Sequence, residues 1–585
     1  MKTEQRNELA AEVRADFEKR REERRGRELQ WRLNMNFLRG DQYCAVTRKG
    51  NIEDEARNYY WQEREVFNHL APIIETRMAK LGRVKPVMGV MPAGGTQKDV
   101  FAAKTAAKIL DAAGNRLALD AIAMQVTMWS EACGTAFYKI TWETGLGLCL
   151  GETEGRKVYE GDVGLTACPP FEIYPDCQDA DTLAGARSLI HARAVPVKFI
   201  AEKWGANVAA EPDCGRENAA HLIERYDLPD AKSPNGRLTV VAGADVLHDG
   251  PLPYINGADG ARGFPFVMQR SIELPGSFWG VSVLERAIPV QRAYNAVKNR
   301  KQEFLNRISM GVLAVEDGSC DTDNLEEEGL NPGKVVVYRA GSNPPAMMDT
   351  GRLPSELIVE EERLLSEFIG ISGVSEIMRN SGLPQSNISG IALQLLIEQD
   401  DTRLSVTAEL MKKAVRGTAA QILRLYRQFA STPRIGRIAD KDGAPEVFYW
   451  SKSDVGADEV YFVSDSGVTE TPAQRRNMVF ELLRAGLLHN EDGKLDNSAR
   501  VKVLDMLGFG MWENAQDLNA LHVKRAVLEN QRLEKGETPP SEIDEHGLHI
   551  VEHTRYLLAN ECADAVKERI VAHIRLHKGM QGVGD

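Results

Sequence analysis

The sequence predicts an α+β subunit, mainly helical, drawn out along its length rather than beaded into separate compact domains. Three observations predict this. Residues 389–429 contain no proline, and Ile397, Leu404, Met411, Val415, Ile422 and Leu425 recur at steps of seven, four and three, the spacing of one helix face. At 1.5 Å per residue such a helix is about 60 Å long. Short runs rich in branched and aromatic residues crowd between residues 136 and 269. Helical and strand-like stretches then interleave, so no cut separates an α part from a β part.

Taken in order, residues 1–33 form a charge-rich helix. Leu9, Val13 and Phe17 recur every four residues, as do Leu29, Leu33 and Phe37. The run Lys19-Arg20-Arg21-Glu22-Glu23-Arg24-Arg25 reads as a solvated face laced with i,i+4 ion pairs, with a nucleic-acid arm as the alternative. Asp99–Leu110 and Met124–Ala132 are alanine-rich and helical. Gly134 interrupts, and Ala136–Trp142 reads as a strand, followed by strands at Ser188–Val195, Leu238–Val241 and Phe264–Gln269. Helix returns over 281–308, with a bend or a restart expected at Pro289. Strands are predicted at Gly311–Val315 and Lys334–Tyr338 around an acidic stretch, then a helix over 354–369. A glycine- and serine-rich loop over 370–390 leads into the long helix. Val447–Trp450 and Val460–Val463 read as strands, and residues 472–585 as almost wholly helical, broken at Pro539-Pro540.

Composition sets limits on function. The 585 residues are 43% hydrophobic and 27% charged, ordinary for a folded soluble chain. A formal charge of −13 argues against a globally basic nucleic-acid coat. No run of 18 apolar residues predicts a membrane span, and the charged N-terminus does not read as a secretory signal. Eight cysteines include no C-x-x-C pair, which is expected of free thiols in a reducing compartment.

Motifs of catalysis are scarce. There is no phosphate-binding G-x-x-x-x-G-K-[ST], no strand-following G-x-G-x-x-G and no G-x-S-x-G elbow. Asp321-Thr322-Asp323-Asn324 lacks the turn glycine of a calcium loop, since Glu326 stands at the sixth position. His549-Ile550-Val551-Glu552-His553 has the H-x-x-E-H order of inverted zinc peptidases, with His546 one turn before. Such a peptidase needs a third ligand well downstream, and little chain follows. The expectation is therefore a solvated or intersubunit helix face, with no metal, no cofactor and no enzymatic activity.

A set of landmarks spread along the chain carries a resemblance. Trp31, Asn34, Phe37 and Gly40-Asp41-Gln42-Tyr43 open it, followed by Asn68, Pro86, Pro92 and Asp99. Gly134, Tyr138 and Trp142 come next, then Pro170, Tyr174, Pro175 and Asp176. Gly280-Val281-Ser282, Gln291 and Asn295 lead to Ile371-Ser372-Gly373-Val374-Ser375 and Ser389-Gly390. In this order the segments resemble the portal proteins of tailed double-stranded-DNA bacteriophages.

The resemblance implies a homo-oligomeric ring, usually of twelve subunits, at one vertex of the capsid, assembled in the host cytoplasm and retained in the virion. Its implied partners are the terminase large subunit, capsid and scaffolding proteins, and head-completion or tail adaptor proteins. Double-stranded DNA would pass through without sequence-specific contact, and no membrane is involved. The portal fold lays out on this chain as a wing (1–279, with 430–475 returning to it), stem helices (280–308 and 352–370), a clip (309–351), a tunnel loop (371–390), a long helix (391–430) and a helical crown (476–585). The expected channel-facing residues are Glu356, Glu360 and Glu367, which repel phosphate, Lys298 and Lys301, and the large loop side chains Met378 and Arg379. Some of the lysines are expected to pair with the acidic helix of a neighbouring subunit. The rival readings are a zinc metallopeptidase built on the H-x-x-E-H string and a non-ring structural scaffold.

Overall fold

A computed structural model describes residues 3–373 less short stretches at 48, 58–61, 84–87, 154–155, 232, 256–259, 311, 324, 326–334 and 349–352; 390–462 less 440–444; 479–484; 503; and 518–581 less 534–535, 537 and 560–562. The chain divides into two compact units, residues 1–436 with 448–469, and residues 437–447 with 470–585.

The larger unit opens with α1 (Thr3–Arg39), the strands β1 (Cys44–Val46) and β2 (Ile52–Asp54), α2 (Leu70–Leu81), β3 (Met88–Val90), α3 (Gln97–Arg116) and α4 (Leu119–Cys133). Strands β4 (Thr135–Glu143), β5 (Cys149–Thr153), β6 (Arg156–Tyr159), β7 (Asp162–Cys168), β8 (Ile173–Pro175) and β9 (Ser188–Pro196) follow, then α5 (Val197–Trp204). Next come β10 (Ala219–Asp227), β11 (Arg237–Ala242), β12 (Asp245–Gly250), β13 (Phe266–Arg270) and α6 (Val283–Met310). The remainder comprises β14 (Val312–Ala314), β15 (Ala346–Met348), α7 (Ser355–Ser372), α8 (Gly390–Phe429) and β18 (Val460–Phe462), while β16 (Arg434–Ala439) and β17 (Pro445–Trp450) each have residues in both units.

Two antiparallel sheets organise this unit. One has the order β12-β11-β10-β9-β8, the other β13-β4-β7. They meet through a buried polar bridge. Lys139 on β4 donates to Glu224 on β10 at 2.6 Å, and Glu224 also contacts His191 at 3.2 Å and accepts from Tyr226 at 2.7 Å. The late strand β18 pairs antiparallel with β3, Val460 opposite Val90. The periodicity of the long helix is realised: Leu404 of α8 is buried, and Met411, Val415, Ile422 and Leu425 are buried in a core shared with α3, α4 and β4, while the Ile397 side chain lies outside the described residues.

Three expectations need correction. The N-terminal helix is not a solvated arm. Leu9, Val13 and Phe17 pack on Ile190, Ile223 and Val241 of the five-stranded sheet. Arg20 and Arg24 from the charged run are themselves buried. Arg24 donates to the carbonyls of Pro170, Phe171 and Ile173 and lies 3.7 Å from the centre of the Tyr174 ring. Burying a guanidinium is tolerable only when its donors are matched, and this turn presents carbonyls from three residues to it.

The second strand of the 309–351 insertion is also misplaced by sequence. Residues 335–339 are not strand, and Val335 and Val337 are exposed. The strand that pairs with β14 is β15, ten residues later, with Val312 opposite Met348. Branched residues favour strands through packing against neighbours, and these valines have no such face. Finally, Pro289 neither breaks nor restarts the helix: α6 runs through it. It lies in the second turn, where few preceding intrahelical bonds are at stake.

In the smaller unit the described helices include α9 (Leu518–Leu533), α10 (His546–Ala559) and α11 (Asp564–Gln581). Leu533, Ile570 and Ile574 form the buried apolar contact among them, with Ile550, Tyr556, Leu557 and Val566 packed around.

Candidate functional site

The helix pair α6 and α7 flanks the β14–β15 insertion and carries the predicted charged residues. An extended stretch, residues 62–69, fastens α6. The backbone N–H groups of Glu63, Glu65, Phe67 and His69 donate in turn to Glu303, Asn299, Asn295 and Gln291, at 3.0–3.2 Å. Side chains four apart on a helix rise about 6 Å, close to the 6.6 Å of two extended residues, so the helix face serves as a neighbouring strand would. Gln291 and Asn299 also return hydrogen bonds to the carbonyls of Phe67 and Glu65, at 2.8 and 2.9 Å.

Lys298 and Lys301 both turn toward α7. Their ammonium groups donate to the two oxygens of Glu361, at 2.6 and 2.8 Å. The partner helix belongs to the same chain, whereas sequence reasoning placed it in a neighbouring subunit. Burial would push the Glu361 carboxyl up, but the hydrogen bonds and charges of the two lysines outweigh it and hold the group below the usual carboxylate range. On the outer face of α7, Glu356 and Glu362 are exposed, and Arg363 lies 3.6 Å from Glu360 and 3.4 Å from Glu367. With Val359 64% exposed beside them, this face of the helix is acidic and uncovered within the chain.

The C-terminal end of α7 is fixed by cations. Arg77 donates to the Ser372 carbonyl at 3.0 Å and pairs with buried Glu131 at 2.5 Å. Arg403 of α8 reaches the carbonyls of Ile369 and Gly370. These donors satisfy the last carbonyls of the helix where its dipole is negative. The segment that leaves this end, with Met378 and Arg379, lies outside the described residues.

A second constellation sits in the smaller unit. His549 and His553 on α10 and His573 and His577 on α11 are all buried and stand around Glu529 of α9, also buried. One oxygen of Glu529 lies 3.0 Å from His549 Nδ1, 3.7 Å from His553 Nε2 and 3.6 Å from His573 Nε2. His577 Nε2 is 3.1 Å from His573 Nε2, and its Nδ1 is 2.8 Å from His546 Nδ1. Burial and then the neighbouring imidazole charges push His577 down to about 4. Burial would raise the Glu529 carboxyl, yet the surrounding histidines and Arg525 hold it far below the usual range. Glu552 has no part in this: it faces Arg555 at 3.3 Å.

Sequence reasoning singled out His546, His549 and His553 but missed Glu529, His573 and His577. The readable signal was a second H-x-x-x-H pair, at 573 and 577, matching that at 549 and 553. It also missed Arg77, Glu131 and Arg403, whose types alone carry no signature.

The paired helices α6 and α7 around the β14–β15 insertion are followed by the long core helix α8 and by β18, which pairs with β3. Residues 216–469 match the family model of the phage P22-like portal protein. The match spans α6, the insertion, α7 and α8, bears out the resemblance to phage portal proteins, and implies the portal fold over that segment. That family is structural rather than catalytic, ring-forming and associated with the capsid. No curated protein matches the sequence. The histidine cluster lies beyond the matched residues.

Proposed function

We propose that this chain is the subunit of a portal ring, usually of twelve copies, at one vertex of a phage capsid, through which the genome is packaged and ejected. The observation that carries the reading is the family match over residues 216–469, together with the α6–α7 pair it contains. In this reading residues 280–308 and 352–370 are the stem, 309–351 the clip that docks the terminase motor and later the tail adaptors, and 371–390 the tunnel loop. Residues 1–279 with 430–475 are the wing, 391–430 the long helix and 476–585 the crown. The exposed acidic face of α7, with Glu356, Glu360 and Glu367, lines the channel and repels phosphate. A conduit needs that, because every strong cationic contact along the duplex would act as a brake. Lys298 and Lys301, each held by Glu361, brace the stem pair.

Negative-stain imaging of the purified full chain tests the proposal. Rings with a central hole are the expected result, and monomers or filaments would overturn it. Packaging and ejection are then tested by complementing a portal-deficient phage with this chain.

A further inference from the structure

We propose that Glu529, His549, His553 and His577 form a structural zinc site that ties together α9, α10 and α11 of the C-terminal unit. One ligand atom from each of these four residues lies within 4.8 Å of the other three, and all four side chains are buried. In a tetrahedral zinc centre, ligand atoms about 2.0–2.1 Å from the metal stand roughly 3.4 Å apart. The distances from the Glu529 oxygen to His549 Nδ1 and His553 Nε2, 3.0 and 3.7 Å, bracket that spacing.

The second observation is the state of the ring nitrogens. His553 Nδ1 is 2.7 Å from the amide oxygen of buried Asn530. An amide oxygen only accepts, so Nδ1 carries the proton and Nε2 presents its lone pair to the cluster. That Nε2 is buried without a hydrogen-bond partner. An orphaned buried nitrogen is costly in a helix interface, and a cation gives this lone pair a purpose. The Asn530 contact is also what a ligating histidine needs on its far side, fixing tautomer and ring orientation. For His577, His573 and His546 hold the two nitrogens, so whichever nitrogen coordinates, the other keeps a hydrogen-bonded neighbour.

The donor set selects the ion. Three imidazoles and one carboxylate suit a borderline transition cation and not calcium or magnesium, which take oxygen ligands. Four protein ligands close a tetrahedral shell, as in structural rather than catalytic zinc sites. Glu552, the base of the H-x-x-E-H reading, faces Arg555 and not the cluster. A staple also fits the energetics. Among the described residues, the apolar cluster that joins these helices centres on Leu533, Ile570 and Ile574, and small cores commonly rely on a metal.

The test uses the full chain, purified without a polyhistidine tag and dialysed against zinc-buffered solution. Elemental analysis is expected to give about one zinc per chain, and cobalt(II) replacement an intense visible absorption of tetrahedral coordination. His553→Ala and His577→Ala are expected to abolish both. Asn530→Ala leaves every ligand in place and should weaken zinc binding about tenfold, while Asn530→Asp, which keeps an acceptor, should restore it. Glu552→Gln should leave zinc content unchanged. A wild-type chain that takes up neither zinc nor cobalt would overturn the proposal and leave the cluster as a hydrogen-bonded histidine network. Asn530→Ala binding zinc as tightly as the wild type would overturn the assigned geometry.

Discussion

Arg24 shows what single residues contribute here. Its guanidinium is sealed under the turn at residues 170–173, so removing it strands carbonyls as well as losing charge-assisted bonds. Arg24→Met should lower stability by roughly 2–4 kcal/mol, read as a shifted urea midpoint. Glu224 gives a pH dependence. Burial alone would raise its carboxyl, but Lys139 and His191 hold it well below its ordinary value of 4.5. A depressed carboxyl contributes stability above its unfolded pKa, and that contribution is lost as pH falls through the folded one. Melting temperature should therefore fall between about pH 5 and about pH 3, and Glu224→Gln should flatten the fall. The landmark residues were legible as a series but not as chemistry. Trp31 stacks edge-on against Trp279 at 4.9 Å, and Asn34 donates to the carbonyl of Ala132. A Cβ on Gly134 would strike the Gly280 carbonyl, and one on Gly280 the Gly134 carbonyl, while Gly134 also sits at φ +85°. Trp31, Asn34, Gly134 and Gly280 each answer a partner far away in sequence, which no local pattern reveals.

At the scale of elements, the amide ladder on α6 is the joint that sets the helix against the N-terminal region. Asn295 accepts from the Phe67 N–H and Gln291 and donates to Gln42 at 2.7 Å. Asn295→Leu should cost roughly 2–4 kcal/mol, because it leaves several buried polar groups unmet, and increased hydrogen exchange at residues 65–69 would locate the damage. The Glu361 clamp is partly solvated and weaker. Glu361→Gln should cost about 1 kcal/mol or less at neutral pH, measured by thermal melting. The long helix and the strands β4, β9, β11, β13, β14, β17 and β18 were readable because their apolar pattern is intrinsic to the chain. The closing strand of the insertion was not, since Val335 and Val337 have strand-forming side chains without a face to cover. The histidine cluster escaped for the opposite reason: its ligands come from three helices, and only one pair lay in the recognisable string.

For the whole molecule, the acidic face of α7 predicts how a ring would treat its cargo. Replacing Glu356, Glu360 and Glu367 together by lysine should slow DNA packaging and make the rate salt-dependent, recovering as ionic strength rises. An unchanged rate in a packaging assay would remove this face from the channel wall. The pairing of β18 with β3 has a consequence for biosynthesis. The core around α3 and β4 is finished by side chains from α8 and by Val460, so it stays open while the intervening chain is made. At 5–20 residues per second, the ribosome delivers Val460 roughly 20–75 s after Val90. Through that interval the nascent chain displays an uncovered apolar surface and an unpaired strand edge. This core therefore closes only after Val460 has been made, and a chaperone holding the half-made chain would raise the yield of folded protein.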